Sequence, residues 1–203
     1  MPATDRKLKK DRGDSLEGQL LLAMPTLTDE NFNRSVVFMC AHSSDGAMGL
    51  IINRRAQDIT FATLMEQIDF DDEGEDAMTE QLADVPVMLG GPVETNRGFV
   101  LHSGDYGSFG STLQVRNGLG LTATVDILRA MRNGLGPART LLALGYSGWS
   151  PGQLEAEIQS NGWLHCDADE ALIFDTPVED RYSVALARLG IDLSHLSVNA
   201  GHA

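Results

Sequence analysis

Two periods of apolar positions divide the chain into its elements. Gln19 to Met24 is an apolar run closed by Pro25 and predicts a buried strand. Ser35 to Ala41, rich in β-branched and aromatic residues, predicts a second strand. The polar turn Ser43-Ser44-Asp45-Gly46 joins it to a third, Met48 to Asn53, so these two form an antiparallel hairpin. From Thr60 the period lengthens. Phe61, Leu64, Met65 and Ile68 share one face of a short helix that Thr60 caps. Val85 to Leu89 is a strand with Pro86 at its start or at a sheet edge. It leads through Gly90-Gly91-Pro92-Val93 and a turn at Thr95-Asn96-Arg97-Gly98 into a strand from Phe99 to His102. Leu113 to Val115 and Leu119 to Thr122 form a hairpin about Asn117-Gly118. Thr122 or Thr124 caps a helix with Ile127, Leu128 and Met131 on its inner face, and Gly134 stops it.

The stretch Leu141 to Glu157 is the most strongly marked in the chain. A buried strand, Leu141 to Leu144, enters a glycine-rich turn, Gly145-Tyr146-Ser147-Gly148-Trp149. Ser150, Pro151 and Gln153 have capping-box spacing, which predicts a helix with Ser150 as N-cap and Pro151 at its first position. That helix ends near Asn161-Gly162. Trp163 to His165 and Leu172 to Phe174 read as short strands. Thr176-Pro177-Val178-Glu179 is a second capping box, for a helix that Gly190 stops, and Ile191 to Ala203 is irregular. Hairpins early and helices interleaved later indicate an α+β fold: one domain, with a mixed, largely antiparallel sheet flanked by helices.

Charge changes the picture at both ends of the size scale. The 203 residues carry a formal net charge of −14. Residues 1–17 form a flexible charged tail with five of the fifteen basic and four of the twenty-nine acidic residues. The domain, 18–203, therefore carries ten basic against twenty-five acidic residues, a net −15. The basic tail followed by the apolar run at Leu20 resembles a signal peptide, but Asp11, Asp14 and Glu17 interrupt it and Pro25 ends the run early. A domain this acidic opposes direct, nonspecific DNA binding, which displaces counterions with lysine and arginine. Residues 66–80 hold eight acidic residues and no basic one, so 71–80 reads as a solvated loop; its spacing does not fit an EF-hand. No window approaches a membrane span. Cys40 and Cys166 stand far apart; without a secretion signal they are expected as free thiols in a cytoplasmic protein, one disulfide being the alternative.

The chemical motifs weaken on inspection. Gly145-Tyr146-Ser147-Gly148-Trp149 departs from the nucleophile elbow at its last position, where tryptophan replaces the required glycine. Gly118-Leu119-Gly120-Leu121-Thr122-Ala123 fits the dinucleotide fingerprint formally, yet it lies in a hairpin rather than a βαβ unit. Gly90-Gly91-Pro92 lacks the Gly-Lys-Ser/Thr of a phosphate loop. Five histidines show no zinc spacing, so neither a metal nor a cofactor is expected. What remains is a candidate binding surface of polar, aromatic and glycine positions at strand ends: Asn31, Arg34, Asn53, Arg54, Gly91, Tyr146, Trp149 and Gln153.

Four long blocks carry a family resemblance: GQLLLAMPTLTDENFNRSVVFMCAHSSDGAMGLIINR (18–54), VMLGGPVETNRGFVLHS (87–103), LALGYSGWSPGQLEAEIQSNGWL (142–164) and LIFDTPVEDRYSVALARLGIDLSHLSVNAGHA (172–203). In this order they resemble the YqgE/AlgH family of bacterial proteins over nearly everything past the tail. The departures are the N-terminal extension, the acidic segment at 71–80, and Tyr182 where a tryptophan is usual. The resemblance implies a single α+β domain without an established enzymatic activity; some members are described as transcriptional regulators. The function expected is therefore that of a non-enzymatic regulatory or adaptor protein with a protein partner. The alternative is a small-ligand sensor or enzyme with a cleft near Gly90–Val93, His102 and Tyr146.

Overall fold

The computed structural model describes residues 15–68, 79–107 and 110–192. In chain order the strands are β1 (Gln19–Ala23), β2 (Val36–Ser43), β3 (Gly46–Ile51), β4 (Arg55–Thr60), β5 (Pro86–Leu89), β6 (Val93–Ser103), β7 (Thr112–Val115), β8 (Leu119–Thr122), β9 (Thr140–Trp149) and β10 (Trp163–Asp167). The helices are α1 (Phe61–Glu66), α2 (Glu80–Ala83), α3 (Val125–Arg132), α4 (Gln153–Gln159) and α5 (Arg181–Arg188). All ten strands join one curled, largely antiparallel sheet in the order β10-β1-β2-β3-β9-β6-β8-β7. β5 lies beside this path, parallel to β9 and antiparallel to β4. The architecture is the expected single-domain α+β fold.

Side-chain alternation explains why both faces of the sheet are filled. Leu20, Leu22, Phe38 and Cys40 point to one face with Phe99, Leu101, Leu141 and Ala143. There they meet Leu172, Ile173 and, from α5, Tyr182, Ala185 and Leu186. The intervening residues Leu21, Val37, Met39 and Ile51 face the other way, against Trp149, Trp163 and Leu154 of α4. On that second face, but over the far half of the sheet, Val100 and Leu142 pack with Phe61 and Met65 of α1 and with Ile127, Leu128 and Met131 of α3. A period of two on central strands buried on both faces produces apolar runs rather than a polar–apolar alternation.

Several expected boundaries move. The glycine-rich turn after Leu144 is strand: β9 continues to Trp149, pairing Ser147–Trp149 with Gly49–Ala47 of β3. Ser150 is not an N-cap. Ser150-Pro151-Gly152-Gln153 is a turn with Gly152 at φ 75° and the Gln153 amide donating to the Ser150 carbonyl at 3.0 Å. Proline then glycine at the two central positions is what a type II turn takes, and it wins over the cap. Half of the capping box survives, because Gln153 Oε1 accepts the Ser150 amide at 3.0 Å. Thr95–Gly98 is not a turn between strands but a bulge within β6, where Val93 pairs with Tyr146 and Gly98 already with Leu144.

Leu172–Phe174 is a π-helical turn, Ala171–Asp175, not a strand. The α5 helix starts at Arg181 rather than after Thr176, whose hydroxyl donates to the Ala171 carbonyl instead. β4 has no counterpart among the expected strands. Thr60 does cap α1, with Thr63 completing a capping box. Ser15–Glu17, assigned to the tail, are tied to the body: Ser15 Oγ donates to the His42 carbonyl, the Leu16 amide to His42 Nδ1, and Glu17 Oε1 accepts the Arg116 amide. Residues 1–14, residues 71–78 of the acidic loop and residues 193–203 lie outside the described residues.

Both cysteines are free. Burial, reinforced by the negative charge of Glu17, pushes the Cys40 thiol far up; half-burial raises that of Cys166, with Arg188 opposing. Since the thiolate is the reactive form, a disulfide-exchange reagent at about pH 8 is expected to label only Cys166 in the native protein and both thiols in denaturant. Native labelling of Cys40, mapped by mass spectrometry, would contradict this.

Candidate functional site

The polar strand-end residues divide into separate groups. Asn31, Arg34, Asn53 and Arg54 come together where β2 begins and β3 ends. Asn53 is the clamp: its Oδ1 accepts the Val36 amide at 2.7 Å, and its Nδ2 donates to the Arg34 carbonyl at 2.9 Å. This holds Arg34 in the left-handed region, φ 53°, and swings its guanidinium over the Tyr182 ring, 5.5 Å from the centroid. Such stacking leaves the planar edge of an arginine free to bind. Arg54 reaches across the Glu30–Phe32 turn. Its Nη1 donates to the Asn31 carbonyl at 2.9 Å and its Nη2 to that of Asn33 at 3.4 Å.

Two further arginines join this cluster. Exposed Arg55 lies 3.6 Å from the Glu179 carboxylate, which is more exposed still. Arg181 is only 5% exposed; its Nε donates to the Thr176 carbonyl at 3.0 Å and its Nη1 to that of Ile52. Burial, aided by the nearby positive charge of Arg55 and opposed by Glu179, lowers its pKa to about 10, so it is still a cation at neutral pH. Among the described residues, Glu179 is the one carboxylate within ion-pair distance of these four guanidiniums. Arg181 was absent from the sequence-derived surface. No signal in the sequence pointed to it, because the helix expected from Thr176 would put Arg181 in its second turn, whereas the helix starts at Arg181 itself.

Trp149 and Gln153 belong to a different construction. Trp149 is 6% exposed, and its indole N–H donates to Glu157 Oε2 at 3.0 Å. Trp163 donates to the same oxygen at 2.8 Å, and Gln153 Nε2 to Glu157 Oε1 at 2.9 Å. Phe32 packs on both indoles, with centroids 6.1 Å from Trp149 and 5.4 Å from Trp163. One carboxylate thus satisfies two indoles that the core would otherwise strand. Trp149 is therefore a packing residue beneath the Glu30–Phe32 turn that Arg54 grips from above.

Tyr146 projects from the opposite face of β9, edge-on to Phe99 at 5.8 Å. It borders an open groove of about 700 Å³ that runs past Met48, Val93 and Arg97 and reaches Trp149 at the end of β9. Gly91 lies against the β9 backbone where the chain crosses from β5 to β6, so its role is clearance. The eight residues do not converge on one surface.

Of the residues named for the alternative cleft, Gly91 and Val93 lie against Tyr146, whereas His102 is buried within the sheet. His102 is 1% exposed, with Nε2 2.9 Å from Thr122 Oγ1 and Nδ1 2.9 Å from the Ser103 carbonyl. Its ring fills the space a side chain at Gly120 would need, since a Cβ there would sit 2.5 Å from Cε1. That is the physical reason for the glycine in the apparent dinucleotide fingerprint. Ser147 is fully buried, and its hydroxyl donates to the Gly90 carbonyl at 3.1 Å, so it is not presented as a nucleophile.

The family model described as AlgH-like matches residues 20–194. The chain belongs to the AlgH-like family. Its similarity to a UPF0301 protein of Rhodopseudomonas palustris (strain HaA2) is 54% identity over 194 residues, covering 95% of this chain and 89% of the relative. A UPF0301 protein of Azorhizobium caulinodans is 50% identical over 202 residues, covering 98% of each. Among AlgH-like structures, the solution structure of AlgH from Pseudomonas aeruginosa aligns with a TM-score of 0.75 at 43% identity, over 94% of this chain and 97% of that one. A crystal structure of a Corynebacterium diphtheriae protein shares the fold alone, with a TM-score of 0.68 at 20% identity over 90% and 91% of the two chains. In this AlgH-like chain, no helix among the described residues is long and apolar enough to cross a membrane.

Proposed function

We propose that this chain is a non-enzymatic regulatory or adaptor protein of the cytoplasm that docks an acidic segment of a protein partner on the arginine cluster around Asn53. The observation that carries this is the convergence of Arg34, Arg54, Arg55 and Arg181 on a chain of net charge −14, with Glu179 as their one ion-pair partner among the described residues. Three of these cations are fixed by backbone carbonyls or a tyrosine ring, and an anion that meets the cluster would offset the mutual repulsion of all four. A partner surface rich in carboxylates matches them in bidentate geometry. The regulatory character follows the family resemblance. The acidity of the rest of the chain favours a role through a protein over direct contact with DNA.

The test compares wild type with the Arg34→Ala, Arg54→Ala, Arg55→Ala triple variant in binding a fluorescent acidic decapeptide by anisotropy. Saturable, salt-sensitive binding is expected for wild type, weakened about tenfold in the triple variant. Arg129→Ala, distant on α3, serves as the control. Equal binding by all three folded proteins, or none by wild type, would overturn the assignment.

A further inference from the structure

We infer that the gap between α1 and α3, over β6 and β9, is a binding site for a small, uncharged, mainly aliphatic molecule with a neutral polar head. The gap has a volume of about 310 Å³, at the lower end of the range of ligand pockets. Leu64 and Ile68 of α1 form one wall, Leu128 of α3 the other, and Leu142 and Leu144 of β9 the floor. Protein interiors close such gaps where side chains can reach. Here the residue that would close this one is missing. Gly98 lies in β6 on the same face as Val100, and a Cβ built on it would meet nothing within 4 Å.

Its φ lies outside the left-handed region, so the backbone does not require glycine at this position. Glycine within a strand is destabilising, and it commonly marks a place where a bulge forms or a ligand approaches. The β6 bulge spans the residues before Gly98, and the vacant side of Gly98 opens into the gap.

The lining selects the chemistry. Among the described residues it includes no charged side chain. A carboxylate or ammonium group would lose its hydration without gaining a counter-ion. Gln67 and Asn96 belong to the lining, and a side-chain amide of this kind exchanges hydrogen bonds with an amide or hydroxyl head. The volume is too small for a folded or extended protein segment. This site is separate from the arginine cluster, so either reading can fail alone.

Octanamide and octanoate, equal in chain length and different in charge, are the probes, titrated into the full-length chain and followed by two-dimensional amide NMR. Saturable shifts at Leu64, Gly98 and Val125 are expected with octanamide, and binding about tenfold weaker with octanoate. Gly98→Leu is expected to unfold cooperatively at or above the wild-type temperature and to lose the octanamide shifts. Should Gly98→Leu fail to fold, Leu64→Phe fills the same space from the helix side and is expected to lose the shifts. Absent or unsaturable shifts, octanoate binding as tightly as octanamide, or unchanged binding by the folded cavity-filling variant would each overturn the site.

Discussion

Gly91→Ala is expected to cost about 4 kcal/mol of folding free energy, summing overpacking of about 1–3 and backbone strain of about 1–3 kcal/mol. At this residue φ is 154°, and an alanine Cβ would lie 2.2 Å from the Tyr146 carbonyl carbon, 2.3 Å from its oxygen and 2.4 Å from the Ser147 nitrogen. These are backbone atoms of β9, held by β3 on one side and β6 on the other, so they have no room to retreat. Urea unfolding should show a lower midpoint at unchanged slope. Gly98→Ala is the matched control, since its Cβ meets nothing, and it should lie within about 0.5 kcal/mol of wild type. A loss at Gly91 no greater than at Gly98 would contradict the crossing of chain over strand.

Arg181→Ala is expected to destabilise by about 3 kcal/mol, mostly through the carbonyls it leaves without donors. The Ile52 and Thr176 carbonyls would lose their guanidinium partner, and the buried space that the side chain occupies would be left unfilled. Arg181→Met, which refills that space without a donor, should lose less, because burying the cation itself carries a desolvation cost. The measurement is the same urea series. Unlike the exposed Arg34 and Arg55, Arg181 should reveal itself in stability before it reveals itself in binding. A neutral Arg181→Ala would mean that the guanidinium does not support the end of β3.

Half of the candidate site was legible in the chain. Asn31, Arg34, Asn53 and Arg54 flank predicted strand ends, and strand ends adjacent in one hairpin must be adjacent in space. Arg181 was not legible as their neighbour, because 127 residues separate it from Arg54 and only the packing of α5 brings it there. Trp149 was misplaced for a related reason. Its neighbours Gly145 and Gly148 suggested a turn, whereas here the glycines allow another segment or ring to approach a continuous strand. Gly148 faces the Tyr146 ring, and Gly145 at φ 70° faces the Gly91 carbonyl.

Periodicity and punctuation by themselves determined the class of this protein: the hairpins, the amphipathic faces of α1 and α3, and the glycine stops at Gly134 and Gly190. These are local consequences of side-chain alternation and backbone freedom, so the chain carries them without its fold. Tertiary structure decided the rest. It made one strand of Thr140–Trp149, turned a proline–glycine cap into a turn, and packed Tyr146 and Trp149 into cores on opposite faces of the sheet. It also brought the arginines of three distant segments together. The physical reason is that these features depend on what lies across a sheet or against a helix, and no residue carries in its own neighbourhood a record of its partner hundreds of atoms away.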